Sequence, residues 1–369
     1  MNQPLPISRI RKPVRRKDAD RYILITLFSF AASVAATRLF LEITGYPQVG
    51  GGELHIAHVL WGGILLFIGA MFPLILANRW SFMVSAVITG LGVGLFMDEI
   101  GKFITQTNNY FYPAAAPIIY AFFLLVVFLY TRIRRLKSED ARTQLYIIFD
   151  DLQEVLDHDL SDDERDDIIK RLQTIKQNGE EIPLLADLVD NLETFVNRSD
   201  LVLAPHQPDI IEQWLTRWQT FETRWLTQSR LRAIMTGSLY ALGAWAIIYP
   251  AVLIFNLLSP VGARIVINNM VTNQFIRSLF SLNWFEARLG FEVAIGIIWI
   301  ISAILITLKR DRRGTDLAYA GLVISLTIIN LLVFYYDQFS TILNASVQVL
   351  VLLSVLSYRY RFLRTSLGR

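Results

Sequence analysis

Residues 80 to 104 read WSFMVSAVITGLGVGLFMDEIGKFI. The first 18 carry no charge, and an uncharged apolar run of that length is the mark of a bilayer-spanning helix. Asp98, Glu99 and Lys102 then follow inside the same expected span, 82–104. Charge within a span is costly and marks a site or a deliberate pairing. At about 1.5 Å per residue, Asp98 lies about 9 Å inside the span's end.

The rest of the chain repeats the pattern. Of its 369 residues, 53% are hydrophobic and only 18% are charged, whereas a soluble domain carries about 25% charged residues. Apolar runs of roughly 17–25 residues predict eight spans: 22–43, 55–77, 82–104, 115–133, 234–258, 289–308, 317–336 and 341–357. The expected fold class is an all-α integral membrane protein. Lys and Arg crowd one set of flanks: the N-terminal arm, Arg79, Arg132–Lys137, Lys309–Arg313 and Arg359–Arg369. The opposite connections 44–54, 105–114 and 337–340 hold none. The positive-inside rule then places both termini in the cytoplasm. The chain has no cysteine, which excludes disulfides, iron–sulfur clusters and thiolate zinc sites.

Four regions follow. Residues 1–21 form a disordered basic arm with seven Lys/Arg, facing lipid headgroups rather than nucleic acid. Residues 22–137 form a first four-helix membrane half. Residues 138–233 form an acidic helical cytoplasmic domain. Between Ser138 and His206 it holds 18 Asp/Glu against 6 Lys/Arg. Ser161 and Glu164 have capping-box spacing, and a fourth helix from Pro208 is expected to run into the fifth span. Residues 234–369 form a second membrane half, with an outer interfacial or re-entrant segment at 259–288. No repeat of fixed period relates the two halves.

The anomalous residues share one depth. Arg38 lies about 7 Å inside the end of the first span, with Glu42 one turn away on the same face. His55 and His58 open the second span, and Asp98, Glu99 and Lys102 close the third, all on the outer side. Asn109 and Tyr110 lie just beyond. Gly90, Gly94 and Asp98 follow at i,i+4, so Asp98 continues a small-residue ridge that should face another helix. Two imidazoles with Asp98 and Glu99 are a ligand set suited to Zn or Fe. The same groups can hold a proton or a lipid headgroup, or can form a buried ion-pair network with Arg38, Glu42, Lys102, Asn109 and Tyr110. Glu286, Arg288, Glu292 and Asp337 are expected to pair at the interface, and Asn330, Asn344 and Gln348 to bond between helices.

Two quoted segments carry a resemblance: RLFLEITGYPQVGGGELHIAHVLWGG (38–63) and GLGVGLFMDEIGKFITQTNNYFYPAAAPIIYAFF (90–123). Over residues 38–120 the chain resembles a family of uncharacterised bacterial polytopic membrane proteins. The resemblance implies a membrane fold and a bacterial plasma membrane, and no activity. The leading functional expectation is a buried outer-leaflet His/carboxylate site that binds a metal ion, a proton or a lipid headgroup. The alternatives are a metal-dependent intramembrane hydrolase acting on lipid, and an ion- or proton-coupled transporter or channel. The expected partners are the bilayer and a cytoplasmic protein that reads the acidic domain.

Overall fold

The computed structural model describes residues 13–45, 57–135, 140–177, 183–198, 201–204, 213, 216–217, 220, 222, 224–262, 264–265, 268 and 279–363. Among the described residues there is no strand, only an isolated bridge between Ser161 and Ala204. The helices are α1 Ala19–Thr44, α2 His58–Ile75, α3 Trp80–Asp98, α4 Ile100–Phe103 and α5 Ala115–Arg135. They continue with α6 Ala141–Asp151, α7 Gln153–Leu156, α8 Asp162–Gln177 and α9 Pro183–Val196. The last set is α10 Gln228–Leu257, α11 Leu279–Thr307, α12 Asp311–Ile324, α13 Asn330–Asp337 and α14 Ile342–Tyr358.

Seven helical segments among the described residues are long and apolar enough to cross a membrane. Six are separate helices. The seventh, Asp311–Leu363, is 53 residues long. A straight helix of that length would measure about 80 Å, far more than the roughly 30 Å of a hydrocarbon core. It is not straight. Gln338 adopts φ 50 and ψ −135 after α13, and the chain doubles back. Tyr358 then donates to Asp311 (2.6 Å), and Ser325 and Asn330 both donate to Gln348 Oε1 (3.0 and 3.3 Å). Large apolar side chains such as Phe67, Leu74, Phe128, Phe255 and Leu350 are exposed on these helices, as a lipid-facing surface requires.

The described chain divides into two compact units. The first comprises Met1–Phe30, Ile64–Gly92 and Val126–Trp214. Here Gly90 of α3 lies against α1. A Cβ at Gly90 would come within 2.5 Å of the Thr26 carbonyl oxygen, so the expected ridge does admit a close neighbour. The acidic helices α6, α8 and α9 close a small core of Leu145, Ile148, Leu160, Ile168, Leu172, Val189 and Val196. Ser161 and Glu164 make the expected capping contact, with the Ser161 amide donating to Glu164 (3.0 Å).

The basic arm departs from expectation at its described end. Residues 13–18 are not free. Arg15 donates to the Ile133 carbonyl (2.6 Å), Arg16 pairs with Asp150 (3.1 Å) and Lys17 with Asp151 (2.8 Å). Arg79, between α2 and α3, binds Asp18 (2.7 Å), Asp151 (3.4 Å) and Glu154. The reason is electrostatic: α6 and α7 present carboxylates to these cations, beside Asp18 and Asp20 of the arm itself. Burial pushes the Asp151 carboxyl above the usual carboxylate range, while Lys17 and Arg79 pull it back without cancelling the rise. Residues 1–12 lie outside the described residues.

The second unit comprises Ala31–Gly63, Val93–Leu125 and Leu215–Arg369. Its core joins Leu231, Met235 and Leu239 of α10, Trp299, Ala303 and Ile306 of α11, Leu322 of α12 and Val355 of α14. Gly243 and Gly296 let α10 and α11 approach backbone to backbone, since a Cβ on either would come within 3 Å of the other's carbonyl oxygen. Ser325–Ile329 is a π turn. Such a turn shifts the backbone bonding pattern, and the buried Tyr120 hydroxyl donates to the Leu326 carbonyl there (2.5 Å). Two expectations change. Leu226 and Thr227 interrupt the helix expected to run into the fifth span, because Thr227 stands just before α10 as its cap and receives the Leu231 amide bond at 2.8 Å. Of the 259–288 segment, Leu279 onward belongs to α11, and 269–278 lies outside the described residues.

Arg79 is the cation on which three carboxylates of the first unit converge. Arg79→Ala should therefore destabilise the detergent-purified protein by about 3 kcal/mol, the cost of stripping a partner from a largely buried ion network. Lys176→Ala breaks the exposed contacts to Asp190 and Glu193 and should leave the melting temperature unchanged. Equal melting curves for Arg79→Ala and wild type would refute a stabilising role for this ion network.

Candidate functional site

Helix α3 ends at Asp98 because the next residue, Glu99, takes φ −91 and ψ 9 and starts the short turn of α4. The chain then loops back. Thr105 donates to the Gly101 carbonyl (2.8 Å) and accepts from the Asn109 amide (2.7 Å). Asn108 sits in the left-handed region at φ 51, which asparagine tolerates better than most residues. The loop thereby turns Tyr110 toward the end of α3.

Asp98 has no exposed surface and Glu99 is 1% exposed. Arg38 of α1 donates through Nε to Asp98 Oδ1 and through Nη2 to the Asp98 carbonyl (3.0 Å). The Tyr110 hydroxyl donates to Asp98 Oδ2 (2.6 Å). His58, the first residue of α2, lies between the two carboxylates. Its Nε2 is 2.9 Å from Asp98 Oδ2 and its Nδ1 is 2.8 Å from Glu99 Oε1. The His58 backbone amide also donates to Glu99 Oε1 (3.1 Å). This satisfies one of the orphan donors at the helix start and places a negative charge at the positive end of its dipole. Lys102 Nζ lies 3.3 Å from the same oxygen. The Arg38 guanidinium lies over two rings, Tyr110 at 4.3 Å and Phe339 at 3.7 Å. Such contacts are strong where water is absent.

The structure therefore brings together Arg38, His58, Asp98, Glu99, Lys102 and Tyr110. It corrects two expectations. Glu42 is exposed, and Arg38 turns to Asp98 instead, because the buried carboxylate has the greater need of a counter-charge. Asn109 serves its own loop, with its side-chain oxygen accepting from the Phe111 amide (3.0 Å). His55 lies outside the described residues. Among the described residues, no group of three or more His, Cys, Asp or Glu is arranged to hold a metal ion. Both His58 ring nitrogens already face carboxylate oxygens, and Glu99 Oε2 is buried with no hydrogen-bond partner among the described residues.

Phe339 was not identifiable in advance, since a ring placed over a guanidinium 301 positions away leaves no trace in spacing. The turn that carries it also carries Asp337, which chelates Arg288 of α11 through Nη1 (2.9 Å) and Nη2. Arg288 Nε binds Glu292 (3.0 Å). The expected pairing of these three is present. It is buried, though, with Arg288 only 1% exposed, and Glu286 is exposed and apart from it. Asn330 and Gln348 bond between helices as expected.

Comparison with known proteins yields no match to any family, to any curated protein or to any solved structure.

Removing Arg38 leaves Asp98 buried and under-compensated. Arg38→Ala should cost about 3–5 kcal/mol of stability, read as a large loss of folded yield and melting temperature. Glu42→Ala, one turn away and exposed, should fall within about 0.5 kcal/mol of wild type. Similar losses in the two variants would disprove the assignment of Asp98, rather than Glu42, as the partner.

Proposed function

We propose that this protein is a proton-binding, multi-pass membrane protein in which His58 takes up and releases a proton between Asp98 and Glu99, coupling that proton to ion or solute movement. One observation carries the reading: each ring nitrogen of His58 faces a carboxylate oxygen within 3 Å. An imidazole that bonds two carboxylates needs a hydrogen on both nitrogens. With Arg38 and Lys102 already balancing Asp98 and Glu99, the cluster is neutral when His58 is neutral and gains one positive charge when it is protonated. A membrane site that changes charge by one proton is the elementary part of a relay.

The topology that goes with this reading has eight crossings, the hairpin at Gln338 supplying two of them. Both termini are cytoplasmic, and the cluster opens toward the outer face of a bacterial plasma membrane. The acidic helices α6–α9 then form a cytoplasmic module for regulation or partner binding. The kinship of residues 38–120 with the uncharacterised bacterial membrane family belongs to the same proposal. The metal reading rests on His55 joining His58 and the free Glu99 oxygen. Metal analysis of the purified protein separates the two: a stoichiometric Zn or Fe that disappears in His55→Ala would favour metal over proton.

Two experiments test the proposal. In proteoliposomes loaded with a pH-sensitive dye, an imposed pH gradient should collapse faster with wild type than with empty vesicles. Asp98→Asn, which keeps shape and removes the charge, should slow that collapse by about tenfold or more. A variant as fast as wild type would end the relay reading. For topology, single cysteines at Gly51 and Ser138 exploit the cysteine-free background. An impermeant maleimide added to intact cells should label position 51 and spare 138. The reverse pattern would invert the orientation.

A further inference from the structure

A basic cavity lies in the first unit, where several of its apolar helices end together. Arg15, just before α1, donates to the carbonyl of Ile133 in the last turn of α5 (2.6 Å). Arg79, in the turn between α2 and α3, reaches Asp18 (2.7 Å). These chain ends therefore share one level, the level at which membrane helices meet lipid headgroups. Arg132, Arg134 and Arg135 cluster at the same end of α5.

The cavity encloses about 360 Å³, in the range of small-ligand sites. Arg15, Arg16, Lys17 and Arg142 line it, and Asp150 is the one carboxylate among its described lining residues. Two further carboxylates reach these cations from outside the lining, Asp20 to Arg15 (3.4 Å) and Asp151 to Lys17 (2.8 Å). The four cations still outnumber Asp20, Asp150 and Asp151. Arginine keeps its charge at any physiological pH, and a proton on any of the three carboxylates would only enlarge the positive surplus. Donors are also to spare. Arg16 gives one N–H to Asp150 through Nη1 (3.1 Å), and Lys17 gives one to Asp151. Neither side chain makes another hydrogen bond among the described residues, although a guanidinium carries five donors and an ammonium three.

The rim suits a lipid interface. Arg142, Tyr146 and Phe149 recur along one face of α6, while Leu145 and Ile148 fill the core behind it. Tyr146 lines the cavity, and Tyr146 and Phe149 are 56% and 47% exposed. Aromatic rings exposed beside arginines are what a helix presents to the headgroup layer.

We propose that this cavity binds a phosphate ester, with its anionic oxygens against Arg15, Arg16, Lys17 and Arg142. Phosphate matches the arginine fork through paired N–H···O bonds, and it offers oxygens on several sides where a carboxylate offers one edge. The same group is carried by the headgroup of an acidic phospholipid and by a soluble phosphate ester. The cavity shares no residue with the His58 cluster, so the proposal stands independently of the proton reading.

The test uses the full-length purified protein in dodecyl maltoside at constant ionic strength. Dioctanoyl phosphatidylglycerol should raise the melting temperature saturably. Dioctanoyl phosphatidylcholine, whose ammonium cancels the charge, should not, and neither should acetate. Glycerol phosphate identifies the source. A shift matching that of the lipid assigns a soluble ester, and a shift from the lipid alone assigns the headgroup. Arg142→Gln leaves the Arg16–Asp150 and Lys17–Asp151 pairs in place and should raise the half-saturating concentration about tenfold. Asp150→Asn removes the carboxylate from the wall and should lower it about threefold, which loss of a purely structural ion pair would not do. Absence of a shift from both phosphate compounds, an equal shift from acetate, or wild-type binding by both variants would overturn the proposal.

Discussion

Asp98 is a carboxylate with no exposed surface at the end of an apolar helix, and the part of the second unit around it is built to tolerate it. Left alone it would take up a proton or unfold its surroundings. Instead Arg38 brings a guanidinium from α1, His58 brings a ring from the first residue of α2, and Tyr110 brings a hydroxyl from the loop after α4. Each donor comes from a different element, so one charge dictates where three pieces of chain must meet. Glu99 repeats the arrangement on the other side of His58, with Lys102 and the His58 backbone amide as donors. The imidazole is thereby the shared member of two otherwise balanced pairs.

Arg288 poses the same problem with the sign reversed. It is a buried cation, and it is met by two carboxylates rather than one. The difference between the clusters is therefore one of balance. Around Asp98 and Glu99 the fixed charges cancel and His58 decides the remainder. Around Arg288 two carboxylates face one guanidinium, and an open cavity lies beside them.

Much of this was legible in the sequence. Hydropathy alone identifies the membrane class, because lipid permits a backbone few other solutions. The positions of Arg38, His58, Asp98, Glu99, Lys102 and Tyr110 at one depth follow from counting residues along helices, and the structure joins all six. The pairing within that set was less legible. Glu42 is the nearer partner for Arg38 along the helix, and local spacing favours it, but the desolvation of Asp98 outweighs a local contact at an exposed position. Contacts made by shape escape sequence reasoning altogether. Phe339 is one apolar residue among many, and only the turn at Gln338 brings its ring onto Arg38. The hold of α6 and α7 on Lys17 and Arg79 is an intermediate case. The opposite charges are plain in composition, and their register is not.

The turn at Asp337–Phe339 has a role that neither cluster explains alone. Gln338 is held at φ 50 and ψ −135, a region that costs a non-glycine residue on the order of 1–3 kcal/mol. Such strain persists only while its neighbours over-determine it. On one side Asp337 is gripped by Arg288, and on the other Phe339 is pressed to Arg38. Arg38 and Arg288 are thereby both tied to one turn of three consecutive residues.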